Sequence, residues 1–143
     1  MGLVLNRPLR KTLGELSVTK IPGALKKAQT FYGGPVAMDQ VTVASLEWND
    51  HPAAVTFRSF MGALGEVNLA AEWPDGLRAF LGYAGWSQGQ LEQEIAQKAW
   101  IIVPPSRALI EMSVPEEAWR GIMRRGDPML RLLAEAPDDP ELN

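Results

Sequence analysis

Apolar runs and alternating apolar and polar positions predict strands along the first two thirds of the chain. The run at residues 2–5 predicts a first strand, a turn follows at 6–8, and residues 12–16 predict a short helical turn. Residues 33–35 predict a bend, because glycine and proline interrupt regular structure. Further strands are expected at 41–48, 53–60, 65–72 and 77–83, with turn residues between them that favour antiparallel hairpins.

The next segment predicts a helix opened by Ser87. The Ser87 hydroxyl can accept a hydrogen bond from the backbone N–H of Gln90 while the Gln90 side chain bonds back, which is the pattern of a capping box. Trp86 and Leu91 then fit a hydrophobic staple. The apolar residues 99–103, ended by two prolines, predict a buried strand after this helix.

Two further helices are expected near the end of the chain. Ser113 and Glu116 form a second capping-box pattern, and the helix that follows them is expected to end at Gly126. Pro128 then predicts the first turn of a last helix. Residues 135–143 alternate acidic residues with proline, which predicts a disordered acidic tail after a domain at residues 1–134.

The composition narrows the classes of protein that the chain can represent. A chain of 143 residues, 46% of them hydrophobic and 22% charged, fits one globular domain. It has no cysteine and one histidine, His51, which excludes thiolate chemistry and metal sites with several histidines. Neither a membrane span nor a signal sequence is predicted, so we expect a cytoplasmic protein with no cofactor and no metal.

The charge is unevenly distributed. The formal net charge is −3, yet the first thirty residues are rich in cations. These basic residues are Arg7, Arg10, Lys11, Lys20, Lys26 and Lys27. They could contact phosphates, but a pI near 5.2 and the lack of any known DNA-docking motif argue against nucleic acid as a partner.

Residues 85–89, Gly-Trp-Ser-Gln-Gly, match the G-x-S-x-G pattern that presents a serine nucleophile in α/β-hydrolases. That fold needs an acid and a histidine after the serine, and no histidine follows Ser87. An N-cap role would use the same serine without any catalysis. A small hydrolase that uses Ser87 therefore stays as an alternative to a non-enzymatic protein.

Four segments, GLVLNRPLRKTLGEL, FYGGPV, GYAGWSQGQLEQEI and AWIIVPP, follow one another along the chain. With this order and spacing, residues 2–133 resemble the YqgE/AlgH family of bacterial proteins. The resemblance implies an α+β fold, a single domain with a largely antiparallel, bifurcated sheet curled into a pseudo-barrel and helices packed outside. It also implies that strands precede the first segment, so we expect this chain to lack the family's first strands.

The resemblance implies no catalytic residue. The family is described as uncharacterised, and its members commonly carry Gly or Ala where this chain has Ser87. One branch is labelled as regulators of transcription, so direct DNA binding is a second alternative. If the first strands are missing, the strand at residues 2–5 is expected to lack a neighbour and to favour self-association through its exposed edge.

We interpret the chain as a non-enzymatic binding or regulatory domain with an unknown ligand or protein partner. The binding or scaffold cluster that the resemblance suggests lies in three of the four segments. Its members are Asn6, Arg7, Gly33, Gly34, Gly82, Tyr83, Gly85, Trp86 and Gln90.

Overall fold

The computed structural model describes residues 1–16, 21, 23–50, 53–60, 77–105, 107–111, 117–126 and 128–135. The strands are Pro8–Thr12 (β1), Gln29–Tyr32 (β2), Val36–Asp50 (β3), Ala53–Phe60 (β4) and Arg78–Tyr83 (β5). The helices are Gln90–Ala96 (α1), Arg107–Ile110 (α2), Ala118–Arg125 (α3) and Pro128–Glu135 (α4). Two short 3₁₀ helices, Leu13–Glu15 (η1) and Gly23–Lys27 (η2), lie between β1 and β2.

The five strands form one sheet in the order β1-β2-β5-β3-β4. Strands β3, β4 and β5 confirm three of the predicted strands, and η1 confirms the predicted helical turn. Pairing is antiparallel except between β2 and β5, which run parallel. The expectation of antiparallel hairpins was therefore incomplete. Strands β1 and β2 were not predicted, and β2 pairs with β5, which lies far from it in the sequence.

Hydrophobic side chains are buried on both faces of the sheet. Neighbouring residues of a strand point to opposite faces, so Val43 and Ala44 contribute to different layers. One layer contains Leu13, Leu25, Ala28, Val43 and Ala79. The other contains Phe31, Ala44 and Phe80, with Leu3, Leu5 and Leu46 packed against them. Segments on both sides of the sheet therefore complete the hydrophobic core.

The first residues of the chain do have a neighbour. Gly2 forms an isolated antiparallel bridge with Ala84, and its N–H and carbonyl both bond to that residue, at 2.8 and 2.9 Å. The Val4 N–H donates to the Gly33 carbonyl at 2.9 Å. The predicted strand without a neighbour was therefore wrong, because the backbone beyond the ends of β2 and β5 supplies partners. Self-association through residues 2–5 stays a prediction.

The predicted buried strand at residues 99–103 was also wrong. These residues have no regular secondary structure, and Ile102 is 70% exposed. Strand β5 is already flanked by β2 and β3, so residues 99–103 cannot pair with it. An apolar run indicates that a strand can form, but it does not indicate whether a sheet edge is free to pair with that strand.

Both predicted C-terminal helices are present, although α3 has Glu117 as its N-cap and begins later than the capping-box pattern indicated. Helix α3 ends with Gly126 as its C-cap, and α4 begins at Pro128. Glu135, the first residue of the predicted acidic tail, is the last residue of α4. His51, the strand at 65–72, the Ser113–Glu116 capping box and the tail after residue 135 lie outside the described residues.

The described strands form an open row, and within the described residues β1 and β4 do not pair with each other. The chain is thus an α+β domain with a largely antiparallel sheet, while its closure into a pseudo-barrel stays a prediction. Among the helices described, none is both long and apolar enough to cross a membrane.

Candidate functional site

Three glycines of the predicted cluster meet where β2 and β5 end. A Cβ atom on Gly33 would lie 2.2 Å from the Gly82 carbonyl oxygen, and one on Gly34 would lie 2.1 Å from the Tyr83 carbonyl carbon. Gly82 has a φ of +68°, in the left-handed region that favours glycine, and a Cβ there would lie 2.3 Å from the Gly34 carbonyl oxygen. These glycines allow two backbones to touch, which is a scaffold role.

Arg7 lies beside the last residue of β2, next to this corner. The Tyr32 N–H donates to the Arg7 carbonyl at 2.9 Å, and the guanidinium carbon lies 5.9 Å from the centre of the Tyr32 ring. Asn6 precedes it and is half-buried. Among the hydrogen bonds of the described residues, none joins Asn6 or Arg7 to Trp86 or Gln90, so these two residues are not bonded to the part of the cluster after β5.

The carboxylate of Glu94, on α1, gathers three side-chain donors. The Trp86 indole N–H donates to Oε2 at 3.0 Å and the Trp100 indole N–H donates to the same oxygen at 2.7 Å. The Gln90 side-chain N–H donates to Oε1 at 2.9 Å. The Trp100, Gln90 and Trp86 donors hold the pKa of Glu94 below its usual range, because hydrogen bonds to the charged form favour it.

The two indoles that share Glu94 also contact each other. The Trp86 and Trp100 rings meet edge to face, with centroids 5.8 Å apart and planes at 68°. This is a favourable arrangement for aromatic pairs. On its other side the Trp86 ring lies 3.0 Å from the position that a Cβ on Gly2 would take, so the N-terminal segment, the β5–α1 connection and Trp100 form one assembly.

Ser87 does not cap helix α1. The N-cap is Gly89, whose φ of +79° lies in the left-handed region, and no side-chain hydrogen bond caps the helix. Half of the predicted capping box is present, because the Ser87 backbone N–H donates to the Gln90 side-chain oxygen at 3.0 Å. The chain makes a further turn at residues 88–89, so the helix starts later than the pattern indicated.

The loop of residues 85–89 joins β5 to α1. Four of its five residues are exposed, and Trp86 is half-buried. Gly85 lies beside the Tyr83 ring, with 3.4 Å between its Cβ position and the ring. Loop 85–89 is therefore exposed at its surface and held at both ends, by the backbone pairing of Ala84 and by the hydrogen bonds of Gln90 and Glu94.

The structure thus brings seven of the nine predicted residues into two adjoining groups, the glycine corner and loop 85–89 with Gln90. Sequence reasoning missed Glu94 and Trp100. The spacing of Glu94 four residues after Gln90 could have indicated their contact on one helix face. Trp100 carries no comparable pattern, because it returns to α1 only after the helix has ended at Ala96.

Within the described part of the chain, no group of three His, Cys, Asp or Glu side chains lies close enough together to hold a metal ion. The Glu94 carboxylate already accepts hydrogen bonds on both oxygens. Its arrangement can fix the orientation of the surrounding rings and of loop 85–89, which is a positioning role.

Comparisons with known proteins agree with the sequence resemblance. Residues 1–130 match the model of the AlgH-like family. A UPF0301 protein of Streptomyces coelicolor is 36% identical over 153 aligned positions, which cover 100% of this chain and 79% of the relative. A UPF0301 protein of Mycolicibacterium vanbaalenii is 37% identical and is covered over 75% of its length.

A solved structure matches as well. The solution structure of the AlgH protein from Pseudomonas aeruginosa aligns with a TM-score of 0.59 at 28% identity, covering 97% of this chain and 79% of that chain. The agreement extends over nearly all of the sequence that carries the glycine corner and the Glu94 network. The chain therefore belongs to the AlgH-like family of bacterial proteins.

Proposed function

We propose that the chain is a non-enzymatic binding domain that acts in the cytoplasm, regulates a protein partner by contact, and presents loop 85–89 as its recognition element. The proposal extends to a sheet that closes into a pseudo-barrel behind this loop. One observation carries it: loop 85–89 is exposed, yet hydrogen bonds fix it at both ends. Binding residues are commonly found on loops that a rigid scaffold positions.

A fixed loop lowers the cost of binding. A partner that contacts residues 85–89 does not have to order them first, because the Ser87 N–H and the Trp86 indole are already bonded. Preorganisation of this kind increases affinity by reducing the conformational entropy lost on association. The exposed Gln88 and Ser87 side chains then offer polar contacts at the tip of the loop.

The same hydrogen bonds argue for binding over catalysis. A general acid or base works best with a pKa near the working pH, whereas the Glu94 pKa is held below its usual range. Among the described residues, no hydrogen bond joins the Ser87 hydroxyl to a base. Within the part of the chain that the structure describes, the hydrolase that uses Ser87 therefore has no supporting contact.

Site-specific photo-cross-linking tests the proposal. A photoreactive residue at position 88 in loop 85–89 is expected to capture a discrete protein partner in cells, and the same residue at Glu47, exposed on β3, serves as the matched control. Gln88→Arg in wild-type background should then reduce co-purification of the captured partner without changing thermal stability. Equal capture from positions 88 and 47 would contradict the assignment of loop 85–89.

A panel of activated esters gives the complementary test. We expect the wild-type protein to cleave none of them in a manner that depends on Ser87. Cleavage that Ser87→Ala abolishes, in a variant that stays folded, would replace the binding proposal with the hydrolase alternative.

A further inference from the structure

We propose that a second surface, separate from loop 85–89, binds acidic, extended segments of proteins. We call it the basic face and define it as the exposed cations Arg7, Lys11, Lys26 and Lys27 around β1, η1 and η2. The proposal does not depend on the function assigned to loop 85–89, because the two surfaces share no residue.

The fold brings these cations together from two stretches of sequence. The Leu13 N–H donates to the Ala28 carbonyl at 2.8 Å, which places η2 beside the end of β1. A Cβ on Gly14 would lie 3.0 Å from the Lys26 carbonyl oxygen, so the two 3₁₀ helices touch at this point. Lys26 and Lys27 therefore lie next to the C-terminal end of β1, close to Lys11.

Hydrogen bonds fix the backbone that carries Lys11 and Arg7. The Thr30 hydroxyl donates to the Lys11 carbonyl at 2.7 Å, and the Tyr32 N–H donates to the Arg7 carbonyl at 2.9 Å. Arg7 and Lys11 stand at opposite ends of β1, beside Tyr32 and Thr30 of β2. Because the register of β1 against β2 shifts between Pro8 and Thr12, they are separated along the sheet by two residues of β2, roughly 7 Å. The basic face thus has a rigid base with charges at both ends.

Glu15, a carboxylate on η1, offsets only part of the basic face, because hydrogen bonds from Thr12 lower its pKa more than the charge of Lys11 does. Glu15 Oε2 accepts from the Thr12 backbone N–H at 2.6 Å and from the Thr12 hydroxyl at 2.8 Å. No ion pair joins Arg7, Lys11, Lys26 or Lys27 to a carboxylate of the described residues. By contrast, Arg107 bonds to both Asp50 and Glu111 at 3.2 Å.

The charge of the rest of the molecule selects the class of ligand. The whole chain carries −3, so the surface outside the basic face is more negative than the chain as a whole. A long polyanion such as duplex DNA extends past the basic face and meets that negative surface. A short acidic segment contacts the basic face alone, since exposed charges more than about 8 Å away are largely screened at physiological salt.

The spacing of the cations indicates the form of the ligand. In an extended peptide, side chains on one face recur about every 7 Å, so carboxylates two positions apart match the two-residue span of β2 beside which Arg7 and Lys11 lie. We therefore infer a segment with at least three acidic residues at alternating positions, whose carboxylates pair with both ends of β1 and with the lysines of η2.

Fluorescence anisotropy with a labelled peptide tests this inference. The probe alternates Glu with Ser over nine residues, and the control peptide has Gln in place of Glu. The Glu peptide should bind, and raising salt from about 50 to 150 mM should weaken it severalfold because the contacts are ionic. The Gln peptide should show no saturable binding, and equal binding of both peptides would overturn the proposal.

Variants locate the binding surface. The triple variant in which Lys11, Lys26 and Lys27 are all changed to Glu should bind the Glu peptide at least about tenfold more weakly, since like charges across an interface repel. Lys98→Glu, at an exposed position after α1, should change the affinity for the Glu peptide less than about twofold. Circular dichroism confirms that both variants fold. Equal losses in the two variants, absence of binding to wild type, or displacement of the peptide by duplex DNA at equal charge concentration would each overturn the assignment.

Discussion

At the scale of single residues, the Glu94 carboxylate links more of the candidate site than any other described side chain. It joins Trp86 and Trp100, which are fourteen positions apart in the sequence, and it fixes Gln90 on the same helix. Loss of its negative charge should therefore loosen the orientation of both indoles together.

The lowered pKa of Glu94 gives this bond network a pH dependence. Since the folded-state pKa of Glu94 lies below the unfolded one, the network stabilises the protein above the unfolded pKa, and the contribution is lost as pH falls through the folded pKa. We expect Glu94→Gln to remove part of the acid-side fall in thermal stability and to change the tryptophan emission. Gln93→Glu, on an exposed position of the same helix, is the control.

The measurement is the unfolding temperature of wild type and Glu94→Gln between about pH 3 and 6, the range in which carboxylates titrate. Parallel curves for the two proteins would show that Glu94 does not carry the acid sensitivity. Indole emission that is unchanged by Glu94→Gln would contradict the bonds from Trp86 and Trp100.

Ser87 and Gly89 should respond to substitution in opposite ways. Because the Ser87 hydroxyl caps nothing, Ser87→Ala should change the free energy of unfolding by less than about 0.5 kcal/mol, as for an ordinary surface substitution. Gly89→Ala should cost about 1–2 kcal/mol, since its φ of +79° is left-handed while no atom lies within 4 Å of the added methyl group. Urea denaturation of both variants measures these changes in the free energy of unfolding. A larger decrease for Ser87→Ala than for Gly89→Ala would indicate that Ser87 is the N-cap.

At the scale of elements, the glycine corner connects β2, β3 and β5 through backbone contact. A methyl group on Gly34 would lie 2.4 Å or less from the Tyr83 carbonyl group, and backbone cannot rotate away as a side chain can. Gly34→Ala should therefore cost about 3 kcal/mol or more, from overpacking together with its φ of +153°.

Gly121, inside α3, is the matched control for the corner. No atom lies within 4 Å of its Cβ position, so Gly121→Ala should stabilise the protein by roughly 0.5–1 kcal/mol through helix propensity. Chemical denaturation of the two variants is the test. A Gly34→Ala protein as stable as wild type would mean that β2 and β5 do not approach as closely as described.

The elements also show what the sequence could predict. Strands β3, β4 and β5 follow from local apolar patterns, and helices α3 and α4 follow from such patterns together with Gly126 and Pro128 at their boundaries. The parallel pairing of β2 with β5 could not be predicted, because β2 has four residues and no local turn dictates its partner. The strand predicted at residues 99–103 was wrong for the same reason, because hydrophobicity does not indicate which sheet edges are free to pair.

The candidate site shows the same division. Gly33, Gly34 and Gly82 were identified from the resemblance to the family, and their backbone contacts explain why glycine stands there. Glu94 was not identified, because a single acidic residue on a polar helix face is indistinguishable from a solvated one until its donors are placed. The sequence thus indicated glycines that the backbone contacts require, but not the hydrogen bonds of Glu94.

At the scale of the whole molecule, net charge decides what the protein attracts from a distance. With a pI near 5.2 and no docking motif, we expect no sequence-specific binding to duplex DNA and at most weak association at low salt. Anisotropy with labelled duplex at two salt concentrations measures this. Submicromolar binding near physiological salt that is lost when Arg10, Lys11, Lys26 and Lys27 become alanine would make this chain a direct DNA-binding regulator.

The exposed segment after α1 affects how the protein aggregates at high concentration. Trp100, Ile101 and Ile102 are between 47% and 70% exposed, and a short β-branched run without charge is the kind of sequence that nucleates cross-β aggregates. Pro104 and Pro105 follow it directly, and prolines beside such runs act as gatekeepers against stacking. Heating concentrated protein should therefore produce less turbidity for Ile102→Lys than for wild type. It should produce more turbidity for the double variant Pro104→Ala, Pro105→Ala, because the two prolines protect the solubility of this exposed run.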